Sequence, residues 1–592
     1  LTPNLFTYFR IFYGYAGKAL FALFFLFLLT GITESIGIAM LLPVLEYAQG
    51  GARAPNTYAE AVYTVIRSLG VDVTLLSLLA FMLAVFFFKG VLTLVQSGYA
   101  AYIRNQLVQK LKLRLCQSYA EMKYSFFTDT HIGHLSNAAT VEAETAVGAF
   151  SKFIEMLAQV VMISIYIGST LLINWRVTSL VVCICAVLFF ALRYLARIAR
   201  RISIKISENN SQIQSYLLQS VYNFKYLKAT DAFNRLYRFL FEQIHQNTRL
   251  RIKNELLVAV PSSFLEAAVV FFLAGLIYYY VVLADQSITS IVVILAFFYK
   301  AFGKIFALNI YWQKFNSNIG GVEVVRKLLD DLERHREVSQ GRQPVRFHES
   351  IEFEDVSFRY GDRRVLKHIN LKIPKDCTVG LVGRSGAGKT TVFDLLTGLI
   401  VPQSGAIKID GVDYRRLDIA AWRRMIGYVT QEPVTFNSTI ADNITLFEGA
   451  GAVQARNDRI QAAAQHAYCR GFVESLADGY QTMIGDKGVK LSGGQRQRIA
   501  IARELYKKPQ IIIFDEATSS LDTESEAFIQ NSIDAMIGSR TILIIAHRLA
   551  TIRKCDIVYV IDQGRIVESG SYDALYGKRD SLFHRMCKAQ QL

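Results

Sequence analysis

The chain has 592 residues, too many for one hydrophobic core, so two or more domains are expected. Hydrophobic residues make up 52% and charged residues only 19%; the apolar excess lies in the first half, which excludes an ordinary soluble protein and points to membrane spans. The formal charge of +16 raises nucleic acid as a partner, but Lys and Arg concentrate in loops between apolar runs, as at a membrane, and nucleic-acid binding is set aside.

Residues 1–18 precede the first apolar run. Leu5–Tyr15 mixes Phe and Tyr with Arg10, which suits a short helix lying in the membrane interface. Residues 19–327 hold six predicted spans: Ala19–Tyr47, Leu75–Val95, Phe153–Ile173, Val177–Leu195, Leu256–Leu283 and Ile288–Leu308. Each is long enough to cross a hydrocarbon core, and helices satisfy their backbone there. The first is a retained span, since no cleavage site follows it. Gly31, Gly37 and Pro43 interrupt it and predict a kink or a protrusion beyond the bilayer.

Loop charge sets the orientation. Connections after spans one, three and five carry only Arg53, Arg67 and Arg176; Gln96–Lys152 and Ala196–Glu255 carry six and eleven Lys or Arg. The two long connections and both termini are therefore expected in the cytoplasm. Their helix-compatible patterns break at Asp129–Gly133 and Ala229–Asn234, which predicts helical hairpins whose tips touch a soluble domain. Glu34, Lys89, Glu155, Glu266, Lys300 and Lys304 lie within or beside spans, where charges mark a pathway or pair between helices. Seven cysteines without a CxxC suggest neither a disulfide framework nor a metal site.

Residues 328–347 are charged, contain Gly341 and Pro344, and read as a linker. From 348 to 592 strands and helices alternate, the pattern of an α/β domain. Gly383-Arg384-Ser385-Gly386-Ala387-Gly388-Lys389-Thr390 stands between an apolar strand, Thr378–Val382, and a helix-compatible run, Val392–Leu399. That is the context of a phosphate-binding loop. Glycines let the backbone approach phosphates, and amide groups at the helix start supply positive potential. Lys389 is expected at the β- and γ-phosphates of ATP, Thr390 on Mg²⁺, and Thr391 at a phosphate. Ile511–Phe514 is a second buried strand, ending in Asp515 and Glu516. Asp515 suits Mg²⁺ and Glu516 the activation of the attacking water.

With LSGGQ at Leu491–Gln495, the set resembles ATP-binding-cassette transporters of the exporter class. The resemblance implies a six-span helical membrane domain followed by an α/β P-loop nucleotide-binding domain. It implies that Ser492, Gly493, Gly494 and Gln495 meet the nucleotide held by the phosphate loop of a second copy. By the same resemblance Tyr360 stacks on adenine and Gln431 reaches Mg²⁺ and the membrane interface. Asp522, after Ser520 and Leu521, continues a dimer-contacting loop, and His547 contacts the γ-phosphate. Lys389, Glu516, Gln431 and His547 are the implied catalytic set. Thr482–Gly488 departs from the family pattern in placing Asp486 where a glutamate is usual, which bears on coupling to the membrane rather than on hydrolysis. One phosphate loop and one LSGGQ per chain imply two chains making two sites, and a homodimer is the simplest assembly.

Ile32–Leu42 and Ala259–Glu266 are similar to bacterial flippases for lipid-linked oligosaccharides. This favours an amphiphile with an anionic head, such as a lipid-linked oligosaccharide or glycolipid. Arg193, Arg197, Arg200 and Arg201 are candidate guides for such a head. A multi-pass protein of a bacterial inner membrane, with its nucleotide domain in the cytoplasm, fits best. The alternatives are an ATP-gated channel or regulatory subunit, and a multidrug or peptide exporter.

Overall fold

The computed structural model describes residues 5–48, 57–68, 70–130, 132–173, 175, 178–179, 198, 201–202, 205–206, 209–210, 212–278, 288–337, 341–449, 453–485, 488–517, 522–546 and 548–590. The chain divides into two compact units. One comprises 1–122 and 129–336, the other 123–128 and 337–592.

In the first unit the helix Leu5–Ala16 does more than lie at an interface. Its Tyr8 and Phe12 are buried. Phe12 packs 5.3 Å from both Phe150 and Phe153, and the Tyr8 hydroxyl donates to Glu323 at 2.9 Å. The first span is a helix from Ala19 to Ala39 and a second from Leu41 to Ala48. The break falls at Met40 because Pro43 has no N–H for the Ala39 carbonyl and its ring crowds that group.

Among the described residues, four helical stretches are long and apolar enough to cross a membrane: Ala19–Ala48, Leu75–Ala120, Ile132–Leu171 and Val292–Arg334. They carry the first, second, third and sixth predicted spans. The fifth lies on the helix Phe233–Tyr278, with 279–283 outside the described residues. The fourth lies almost wholly outside them, as do Cys183 and Cys185. Helices run far past the spans. Leu75–Ala120 opens on a capping box, Thr74 with Ser77, and continues for 46 residues without a break.

The breaks in the long connections fall within the expected stretches, between Asp129 and Ile132 and between Ala229 and Phe233. A short helix, Tyr124–Asp129, stands before the first predicted break, and residues 123–128 group with the second unit, where Tyr124 packs against the core. In the second connection a short helix ends at Ala229 and the long one begins at Phe233. The expected linker differs. The helix Ile288–Arg334 runs through its first seven residues because Val325, Leu328, Leu329 and Leu332 keep helical spacing and are buried.

Among the described residues the second unit holds ten strands: β1 Ser350–Tyr360, β2 Arg363–Pro374, β3 Thr378–Gly383, β4 Ser404–Ile409, β5 Val412–Asp413, β6 Ile426–Val429, β7 Ile511–Asp515, β8 Thr541–Ile545, β9 Ile557–Asp562 and β10 Arg565–Gly570. They form an antiparallel sheet in the order β2-β1-β4-β5 and a six-stranded sheet in the order β10-β9-β3-β8-β7-β6. The second is parallel except at β10. Its parallel strands are largely apolar because both faces are covered, whereas the edge strand β10 carries Arg565 and Glu568. Ile511, Ile513, Leu543 and Ile545 face a core shared with the antiparallel sheet and Trp422. Ile512, Phe514, Ile542 and Ile544 face a second core built largely of helices.

Candidate functional site

Strands β3, β8, β7 and β6 are parallel neighbours, so their carboxyl ends open on one edge of the sheet, where α/β folds hold ligands. Gly383 ends β3 and Asp515 ends β7, with β8 alone between them, a separation of about 10 Å across the sheet. Ala546 and His547 follow β8, and Thr430 and Gln431 follow β6. Gln431 is exposed on its loop; His547 lies outside the described residues.

The loop from Gly383 to Gly388 needs its glycines. Gly386 and Gly388 have φ of 76° and 104°, and a Cβ on Gly388 would stand 2.6 Å from Leu366 Cδ2. Ala387 is buried, while Arg384, Ser385 and Thr390 are exposed at the mouth. Lys389 opens the helix Lys389–Leu396 and is 6% exposed. Its Nζ donates to the carbonyls of Gly383 at 2.9 Å and Arg384 at 3.1 Å, closing the loop around an ammonium group. Burial pushes its pKa down, and the carboxylates of Glu516 and Asp515 oppose that shift. Thr391 is buried behind it.

Burial raises the Asp515 pKa, the Tyr428 hydroxyl donating at 3.0 Å lowers it, and the charge of Glu516 raises it further. Glu516 takes a left-handed backbone, φ 52°, with its N–H donating to Ile545 O at 3.1 Å. Such a conformation costs about 1–3 kcal/mol and is held by the strand ends around it.

Tyr360 is 44% exposed, with Phe358 edge-on at 4.8 Å and its hydroxyl 3.4 Å from Asp394. Burial pushes the Asp394 pKa up to about 6; the Tyr360 hydrogen bond works against this and the charge of Asp515 with it. The sequence reading missed Tyr428 and Asp394. Neither belongs to a motif, and their partners are set by strand alignment.

Ser492 caps the helix Gly493–Tyr506. Its Oγ accepts from the Gln495 N–H at 3.2 Å, and Gln495 Oε1 accepts from the Ser492 N–H at 2.9 Å. A Cβ on Gly494 would meet Ser525 Oγ at 2.0 Å. Arg503, on the same helix, donates to the carbonyls of Val434 and Asn443, both at 2.7 Å, so the helix is tied to the stretch beyond Gln431. Asp522 caps the helix Thr523–Asp534 through the Ser525 N–H at 3.1 Å. Ser520, Leu521 and Asp486 lie outside the described residues.

A second charged centre lies in the first unit. Glu34 is buried and pairs with Lys89 at 3.0 Å and Lys300 at 3.4 Å, joining three span helices. Lys304 is half-buried within electrostatic reach of all three. Tyr166, buried on the helix Ala143–Ile173, has its hydroxyl toward Glu34 outside hydrogen-bonding geometry. Glu155 instead pairs locally with Lys152 at 2.7 Å. The Glu266 side chain and Arg193, Arg197 and Arg200 lie outside the described residues; Arg201 is exposed.

The sequence matches the family model of the ABC transporter transmembrane region over residues 20–304 and that of the ABC transporter over 366–519. It is 30% identical over 513 residues to an ATP-dependent lipid A-core flippase of Desulfotalea psychrophila, covering 85% of this chain and 88% of that protein. It is 32% identical over 500 residues to the heterocyst differentiation ATP-binding protein HepA of a Nostoc species, covering 82% and 80%. A bacterial Atm1-family ABC exporter solved with ATP bound superposes with a TM-score of 0.77 at 25% identity, covering 97% of this chain and 98% of the other.

Proposed function

Because this chain belongs to the ABC transporter family, as an integral membrane exporter that couples ATP hydrolysis to transport, we propose that it flips an amphiphile with an anionic headgroup. A lipid-linked oligosaccharide or glycolipid is the leading candidate, and two copies act together in a bacterial inner membrane. The observation that carries this reading is the intramembrane cluster of one carboxylate and three lysines, Glu34 with Lys89, Lys300 and Lys304. An excess of cations in a low-dielectric span suits an anion and disfavours a neutral or cationic cargo. Relatives bear the name ATP-dependent lipid A-core flippase, which supports a lipid cargo for this chain.

In the nucleotide unit Lys389 leaves the carbonyls of its loop for the β- and γ-phosphates, and the exposed loop amides and helix start bind the rest. Tyr360 stacks on adenine. Glu516 takes the proton of the attacking water, and His547 and Gln431 hold the water and γ-phosphate in line. Ser492, Gly493, Gly494 and Gln495 of a second copy close the site, with Asp522 at the seam. The residues also fit Mg²⁺. The carboxylates of Asp515 and Glu516 are neighbours, an arrangement that a cation relieves. Mg²⁺ in such sites keeps waters and substrate phosphates among its ligands beside one or two carboxylates. Thr390, Asp515 and Gln431 would hold it, and it would neutralise charge developing on the phosphates.

The test is purified protein in vesicles with a fluorescent lipid-linked oligosaccharide. Movement between leaflets is expected with ATP and not with a non-hydrolysable analogue. Equal movement without hydrolysis, or transport of neutral amphiphiles only, rejects the proposed cargo.

A further inference from the structure

Glu34 is sealed from the surroundings and its partners are not. Its side chain is 4% exposed, against 25% for Lys89 and 46% for Lys300. Lys304 has no carboxylate at ion-pair distance among the described residues, so one carboxylate serves three ammonium groups. A second anion entering this cluster can reach lysines from their exposed sides, but it cannot reach Glu34.

Nor can the carboxylate follow a partner that moves. Gly31 and Gly37, three residues to either side, let neighbouring helices close around it. A Cβ on Gly31 would stand 2.5 Å from Ile165 Cδ1, and one on Gly37 3.0 Å from the Phe86 ring. Thr30 donates to Gln96 at 3.0 Å and Ser35 shares a hydrogen bond with Ser169 at 2.6 Å, fixing the same stretch to the same two helices, Leu75–Ala120 and Ala143–Ile173. Lys300 makes the longer of the two ion pairs and arrives from a different helix, Ile288–Arg334.

We propose that Glu34 is a resident stand-in for the cargo's anion. It pairs with Lys89 and Lys300 while the site is empty, and an incoming phosphate-bearing headgroup takes Lys300 from it and engages Lys304 as well. This deepens, and rests on, the reading of an anionic amphiphile as cargo. Loss of the Glu34–Lys300 pair removes the ionic tie between the first span and the helix Ile288–Arg334 and leaves the apolar packing of Ile38, Ala39 and Leu42 on Val293, Phe297 and Ala301, so loading and loosening of this contact are one event. The cargo thereby has the preference for the loosened state that any conformational effect of a ligand requires.

The test uses the full chain in lipid nanodiscs with farnesyl diphosphate as probe and farnesol as its neutral counterpart. Glu34→Gln removes the competing charge and should tighten farnesyl diphosphate binding by about tenfold or more, the scale of a partly buried charge pair. Farnesol binding should not change. Glu34→Asp, with a carboxylate one methylene shorter, should fall between, and it carries the comparison if the glutamine variant does not accumulate. Lys300→Gln should weaken the diphosphate. Unchanged or weaker binding by both Glu34 variants, with Lys300→Gln still weakening it, overturns the stand-in role and leaves the anionic cargo intact. Binding indifferent to all the variants removes the anionic cargo itself.

Discussion

Glu516 combines a strained backbone with a place at the end of β7, beside a neighbour carboxylate and the buried ammonium of Lys389. Glu516→Gln keeps the shape and removes the base. ATP should bind as before while steady hydrolysis falls on the order of a hundredfold or more. Filter binding and phosphate release measure the two separately, and normal turnover would remove Glu516 from that role. Asp394 gives a pH prediction. Its pKa in the fold, about 6, lies above the ordinary carboxylate value of 3.8. The folded state therefore holds the proton more tightly, and the unit loses stability as pH rises from the unfolded value through about 6. Asp394→Asn should raise the melting temperature above pH 6 and leave it unchanged below pH 3.8, as scanning calorimetry at several pH values would report. The phosphate loop and the carboxylate pair were legible because each is contiguous in the chain. The Tyr428 hydroxyl on Asp515 was not, since 87 residues separate the two and only the pairing of β6 with β7 brings them together.

Among the elements, the helix Gly493–Tyr506 shows how a motif can be structural as well as chemical. Gly494 touches Ser525 so closely that a methyl group has no room. Gly494→Ala should destabilise the nucleotide unit by about 1–3 kcal/mol, seen as a lower denaturation midpoint. An unchanged midpoint would mean that the helix Thr523–Asp534 yields. The positions of the first, second, third and sixth spans were legible because apolar runs of about 20 residues leave little choice in a membrane. Their true lengths were not. Charged residues beyond Val95 and at Asp330, Asp331 and Glu333 read as loop or linker, yet they occupy the solvated faces of uninterrupted helices. The short helix Tyr124–Asp129 was equally hidden, because six residues give too little periodicity to read.

At the scale of the whole molecule, one chain holds each half of the proposed composite site once, and nothing within a single chain states the number of copies. Mixing supplies a test. Lys389→Ala spoils the phosphate loop and Ser492→Arg the opposing helix start. Each variant alone should be inactive in ATP turnover. Co-reconstituted at equal amounts, random pairing leaves about a quarter of the sites intact, and activity should reappear. Failure to reappear, with mixed dimers demonstrated by cross-purification of two tags, would mean that each chain completes its own site. The α/β architecture and the membrane domain were both readable from composition shifts and motif spacing. The pairing of Glu34 with Lys89 and Lys300 was not, because rotation of a helix about its axis decides which intramembrane charges meet, and the spans are too uniformly apolar to declare it.

The helix Leu75–Ala120 measures about 69 Å, of which a bilayer's hydrocarbon takes about 30 Å. An unbroken rod held partway along is a crowbar. A push at its long wet arm arrives at the short greasy arm as a smaller stroke with greater force. Prising apart tightly packed greasy rods calls for strength rather than travel, and a stiff shaft, unlike a jointed one, wastes none of the push in bending.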